Sequence, residues 1–264
     1  MAKPTLHLTH LYPALMNLYG DRGNIMAFRH RSAARGVDLR VNEITLGDDW
    51  NPSDTDIVFI GGGQDREQRR IVDDLQRHAP ALRDFRDDDG VILAVCGGYQ
   101  LFGNNYRDID GEVLPGAAVF DTVSLHPGRQ FQRCVGNVVA LWEGETLVGF
   151  ENHGGRTYLS DQAEPLAEVV AGFGNNGGDR TEGVRARNAF GTYLHGALLP
   201  KNPRLADRLI ELALRRRHGD AAVEDHPMSP LDDAREVRAH AEALHAGLTQ
   251  KKRPRLSTRQ GANL

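Results

Sequence analysis

The stretch VILAVCGGYQLFG, residues 91–103, decides how the rest of the chain is read. Five apolar residues run into a cysteine, two glycines and then a helix start. This is the pattern of a buried strand passing into a helix through a tight turn with the cysteine at its apex. Glycines permit such a turn, a helix start favours a thiolate, and the backbone N–H groups that follow face a developing oxyanion. The plain alternative for Cys96 is a buried structural thiol, and the pattern alone leaves both open.

The same alternation recurs on either side. TLHLTHLY (residues 5–12) reads as a strand, and LYGDRGNIMAFRHRSAARG (18–36) predicts a helix closing at Gly36, a residue suited to a left-handed cap. VDLRVNEI (37–44) alternates as a strand does, and DIVFIGGG (56–63) is a second apolar strand ending in glycines. Residues 65–79 predict a helix that Pro80 closes, followed by a short helix over 81–86. Strands alternating with helices give a mostly parallel sheet, and wholly apolar strands are covered on both faces. Sites in such sheets form at the C-terminal ends of strands, where Gly61 to Gly63 and Cys96 both fall.

The middle of the chain reads differently. AAVFDTVSLH, CVGNVVALW and TLVGFENHGGRTYL predict shorter strands of an antiparallel extension, and GFGNNGGDRTEG is a turn-rich loop. GVRARNAFGTYLHG returns to strand, and NPRLADRLIELALRRRHG predicts an amphipathic helix with a basic last turn. Beyond Gly219 a further helix is expected, with Ser229 as N-cap and Pro230 at N1, and then a basic tail. The expected division is residues 1–218 for the main domain and 219–264 for the helical extension and tail.

With 264 residues, 40% of them hydrophobic, the chain can bury a substantial core. A net charge of −4 makes no case for a nucleic-acid or membrane surface. No apolar run approaches the ~18 residues of a membrane span. The opening Met-Ala-Lys-Pro-Thr lacks a signal-peptide pattern, so a cytoplasmic location is expected. Two cysteines make no disulfide framework, which suits free thiols in a reducing compartment. No pair or cluster has metal-ligand spacing, and no metal is expected.

A cysteine nucleophile needs a base. His195, in AFGTYLHG, ends an apolar strand and is the best candidate; His153, in FENHGGRTY, is the rival. FIGGGQDREQ lacks the register of a dinucleotide or P-loop motif, and suits a second oxyanion donor better. Arg133 and Arg156 are candidate carboxylate clamps. Cys134 reads as packing.

Taken together, LYGDRGNI, FIGGGQDREQ, CGGYQLFG, FENHGGRTYL, GFGNN and GTYLHGALLPKNP resemble the glutaminase subunits of lipid II isoglutaminyl synthases. These belong to the cobyric-acid-synthase-like branch of class I glutamine amidotransferases. The resemblance implies an α/β three-layer sandwich of the flavodoxin-like kind with antiparallel additions. It implies that Cys96 attacks the side-chain amide of L-glutamine, with His195 as its base and acid. It also gives Gly62 or Gly63 with Gly97 as oxyanion donors, and Arg133 as the arginine that holds the substrate.

The ammonia is expected to pass to a Mur-ligase-like partner in a heterodimer. That partner would use ATP and Mg to amidate the D-glutamate of lipid II, an acceptor that would bring the complex near the inner face of the membrane. No cofactor is expected in this chain. Class I amidotransferases commonly place a glutamate two residues after the histidine; here that position is Ala197, so the third member stays unassigned. Glu151 is a candidate orienting carboxylate or part of the ammonia exit. The competing readings are a cysteine hydrolase that works without a partner and a scaffold that kept the fold.

Overall fold

The runs IVFI and VILAV are wholly buried and lie side by side in parallel, as strands covered on both faces must. The computed structural model describes residues 3–225 and 230–250. The chain begins β1 (Thr5–Leu11), α1 (Arg22–Ala34), β2 (Asp38–Ile44), β3 (Ile57–Ile60), α2 (Asp65–Asp87), β4 (Val91–Val95) and α3 (Gly97–Phe102). Short strands follow: β5 (Asn105–Arg107), β6 (Val113–Pro115), β7 (Thr122–Leu125), β8 (Cys134–Trp142), β9 (Glu145–His153), β10 (Arg156–Leu159), β11 (Ala167–Ala171) and β12 (Thr181–Glu182). The hairpin β13 (Val184–Ala186) and β14 (Ala189–Thr192) leads to α4 (Leu198–Lys201), α5 (Pro203–His218), α6 (Asp220–Asp225) and α7 (Ala234–Thr249).

The central sheet among the described residues has the order β13-β14-β4-β3-β1-β2, parallel except for β13. The steps from β1 to β2 and from β3 to β4 run in opposite directions across it. Right-handed crossovers therefore put α1 and α2 on opposite faces. α5 packs beside α1, and α3 beside α2, which completes an α/β sandwich of three layers. The middle strands form two further sheets, β10-β7-β5-β6 and β12-β11-β8-β9. These are the expected antiparallel additions, apart from the parallel pair β5 and β7.

Pro80 does not end its helix; α2 runs through it from Asp65 to Asp87. The apolar stripe explains this. Ile71, Val72, Leu75 and Ala79 continue into Leu82 and Phe85, all buried. An interior proline costs about 3 kcal/mol, whereas burying two large apolar side chains beyond it contributes roughly 3–6 kcal/mol.

The last helix also starts later than its sequence suggests, at Ala234. Asp233 sits at the N-cap position but its carboxylate is drawn away, accepting from Arg31 Nη1 at 2.6 Å and Nη2 at 3.0 Å. Ser229 and the basic tail over 251–264 lie outside the described residues. α7 packs on β8 and β9 and on α4. Gly247 permits that approach, because a Cβ there would fall 2.5 Å from Val139 Cγ2. No helix of the described residues is long and apolar enough to cross a membrane.

Candidate active site

Four adjacent parallel strands, β14, β4, β3 and β1, deliver their C-terminal ends to one rim of the sheet. Cys96 follows β4 and takes φ +50° and ψ −107°, a conformation that non-glycine residues rarely adopt. Its N–H donates to the Thr192 carbonyl at 2.8 Å, which ties the turn to the end of β14. The turn is tight because glycines let it meet the loop after β3. A Cβ on Gly97 would fall 2.6 Å from Gly63 O and 2.8 Å from Gly63 N. Cys96 is 5% exposed and borders a cavity of about 450 Å³, ample for an amino acid, lined also by Tyr19, Gly63, Gln64, Gln100 and Arg133.

His195 reaches the same place from β14. It is fully buried, with its backbone bridged to Phe150 of β9. Burial alone would lower its pKa, but the charges of Cys96 and Asp21 beside it carry it up to about 10. His195 Nδ1 lies 3.7 Å from Asp21 Oδ1, within ion-pair range and longer than a hydrogen bond. The other oxygen, Asp21 Oδ2, accepts from the Gly62 N–H at 2.7 Å. These groups converge on Gly62. A Cβ there would fall 2.8 Å from His195 Cε1, 3.3 Å from Asp21 Oδ2 and 3.4 Å from Cys96 Cβ.

A family model for the CobB/CobQ-like glutamine amidotransferase domain matches residues 7–203, and so takes in Asp21, Cys96 and His195. The chain belongs to that family. The amidotransferase is 42% identical over 216 residues to the lipid II isoglutaminyl synthase (glutamine-hydrolyzing) subunit GatD of Streptococcus pneumoniae, covering 81% of this chain and 82% of that one. It is 36% identical over 248 residues to the subunit of the same name from Staphylococcus aureus, covering 94% and 98%. Among solved structures a glutamine amidotransferase superposes with a TM-score of 0.54 at 14% identity, covering 78% of this chain and 98% of that chain, a likeness of fold.

Other sequence candidates fall into place around the pair. Arg133 lines the cavity, with Nε donating to Asn152 Oδ1 and Nη2 to the Asn152 carbonyl, both at 3.1 Å. Arg156 instead turns into the loops, donating to the Gly154 and Gln132 carbonyls, and is buried. His153 stacks on Tyr193 with centroids 3.6 Å apart, and its Nδ1 meets the Gly155 carbonyl at 2.7 Å. Burial pushes its pKa down to about 3, so the ring is neutral and held as a structural group. Burial also pushes the Cys134 thiol upward, as suits packing.

Two expectations change. The Gly62 N–H is taken by Asp21, which leaves the Gly63 and Gly97 N–H groups as the candidate oxyanion donors. The carboxylate facing His195 Nδ1 is Asp21, whereas Glu151 accepts from the Phe173 and Gly174 N–H groups at 2.7 and 2.9 Å and faces His153. Asp21 lies within the LYGDRGNI motif, whose pattern alone assigns it no role. The signal available was an acidic residue opening a helix directly after a parallel strand and its loop.

Proposed function

We propose that this amidotransferase hydrolyses L-glutamine through a cysteine thioester and supplies ammonia to a Mur-ligase-like partner. The observation that carries the reading is Cys96 on a strained strand-to-helix turn beside a buried His195. His195 takes the thiol proton, and the sulfur attacks the side-chain carbonyl carbon of glutamine. The Gly63 and Gly97 N–H groups receive the oxyanion, and Arg133 holds the substrate carboxylate. Collapse of the adduct breaks the C–N bond as the imidazolium returns its proton to the departing nitrogen. Ammonia leaves, and a glutamyl thioester remains on Cys96. His195 then deprotonates a water that attacks the thioester, which releases glutamate and restores the thiol.

Likeness to the GatD subunits over 82% and 98% of their lengths supports the further step. In the proposed step the partner uses ATP and Mg to amidate the D-glutamate α-carboxylate of lipid II to D-isoglutamine. The heterodimer works in the cytoplasm, and its acceptor draws it to the inner face of the membrane.

The test is to follow label from amide-¹⁵N glutamine into lipid II by the assembled complex. The expected result is label in the isoglutamine amide with wild type and none with Cys96→Ala, whose activity returns when ammonium is supplied. Equal labelling by Cys96→Ala would refute the reading.

A further inference from the structure

The histidine of this site lacks the glutamate two positions on, and the structure explains why no side chain of that size fits. A Cβ added to Gly23 would fall 2.5 Å from Ala197 Cβ, so the start of α1 already occupies the space beside position 197. Ala197 itself holds φ +50°. The contact is one of three in sequence along the two segments. Asp21 faces His195, Gly23 meets Ala197, and Asn24 Oδ1 accepts from the buried Leu199 N–H at 2.9 Å.

We propose that Asp21 is the positioning residue for His195, delivered by the α1 start that displaces a side chain at position 197. This rests on reading Cys96 and His195 as the glutaminase pair. Both Asp21 Oδ1 and His195 Nδ1 are buried, and neither has a hydrogen-bond partner among the described residues. Each is therefore the other's natural partner, at a distance that closes when substrate fills the site. A proton held on Nδ1 by Asp21 reserves Nε2 for taking up and returning the thiol proton. The second oxygen of the same carboxylate holds the Gly62 N–H. One side chain thus fixes the base and the strand end next to Gly63, the oxyanion donor.

The other titratable groups that act on the His195 ring are Cys96 from the β4 turn, Tyr19 from the β1 loop, His153 from β9 and Glu182 from β12. None of these places a carboxylate at Nδ1.

Asp21→Asn tests the assignment, because its amide oxygen can still accept from Gly62 while its NH₂ group opposes Nδ1–H. The expected result is a fall in kcat for glutamine hydrolysis of about 100-fold or more with KM within about twofold. A glutamine-independent readout separates this proposal from the glutaminase reading. The apparent pKa for alkylation of Cys96 by iodoacetamide should rise by about one unit or more, since the imidazolium that stabilises the thiolate loses its counter-charge. An alkylation profile that superimposes on wild type overturns the proposal, whatever kcat does. ¹⁵N-histidine spectra of Cys96→Ala, with Asp21 intact, give a second reading that does not depend on Asp21→Asn folding. The neutral His195 ring should carry its proton on Nδ1, and a proton on Nε2 would overturn the assignment.

Discussion

Phe150 and His195 exchange a pair of backbone hydrogen bonds, His195 N–H donating at 2.8 Å and Phe150 N–H returning at 3.3 Å. This bridge fastens the end of the parallel sheet to β9 of an antiparallel addition. Two residues further along β9, Asn152 holds Arg133, while its side-chain amide donates to the Tyr19 hydroxyl. His195, Arg133 and the cavity wall at Tyr19 are therefore linked through one short run of backbone.

With Arg133 as the proposed clamp for the substrate carboxylate, Arg133→Ala is expected to remove a charged contact that substrate and transition state share. A charge-assisted hydrogen bond is worth about 1.5–3 kcal/mol, so the KM for glutamine should rise about 10- to 100-fold with kcat little changed. Steady-state kinetics of ammonia release checks this, and an unchanged KM would move the clamp elsewhere.

Gly62→Ala puts a methyl group 2.8 Å from His195 Cε1. The imidazole must shift, and misplacement by about 1 Å costs on the order of 100-fold in rate. Glutaminase rate and thermal melting measured together should show a large loss of kcat with a modest change in Tm. Full activity would mean that the ring has room the geometry denies it.

Arg31→Ala tests what tethers the last helix. The Arg31 side chain is 3% exposed and pairs with Asp207 at 2.5 Å and Asp233 at 2.6 Å. Its removal leaves Asp233 without that partner while Asp207 keeps Arg35 Nη2 at 2.8 Å, at a cost of about 1.5–3 kcal/mol, read from urea unfolding. A loss under about 0.5 kcal/mol, the size of a surface substitution, would contradict this.

Glu182 gives the fold a pH dependence. Burial raises its pKa from 4.5 to about 7, against hydrogen bonds from Thr192 Oγ1 and the Tyr193 N–H. The folded state thus keeps a proton that the unfolded chain loses above about 4.5. The stability linked to this proton is full below about pH 4.5 and is lost as pH rises through about 7. Glu182→Gln cannot ionise, so its urea midpoint relative to wild type should improve between pH 5 and pH 8. A constant difference across that range would show that Glu182 does not titrate there.

What could be read in the sequence was local. Apolar runs ending in glycine located the strand ends, and Cys96 and His195 stood out because each follows such a run. Two kinds of feature escaped. Pro80 is a local stop signal overridden by burial of Leu82 and Phe85, which only tertiary packing reveals. Asp21 meets His195 through strand order, since β1 lies three places from β14 across the sheet and its loop folds back over the rim. Spacing along the chain carries no trace of that. Glu151 is the acidic residue of the FENHGG motif, and its carboxylate anchors the loop at Phe173 and Gly174.

The central claim is that Cys96 is the nucleophile that releases ammonia from glutamine. The direct measurement is ammonia production from L-glutamine by wild-type and Cys96→Ala proteins, each assembled with the ligase partner and each shown to be folded. The account predicts steady release from wild type and none above background from Cys96→Ala. Release by the variant at the wild-type rate would contradict it.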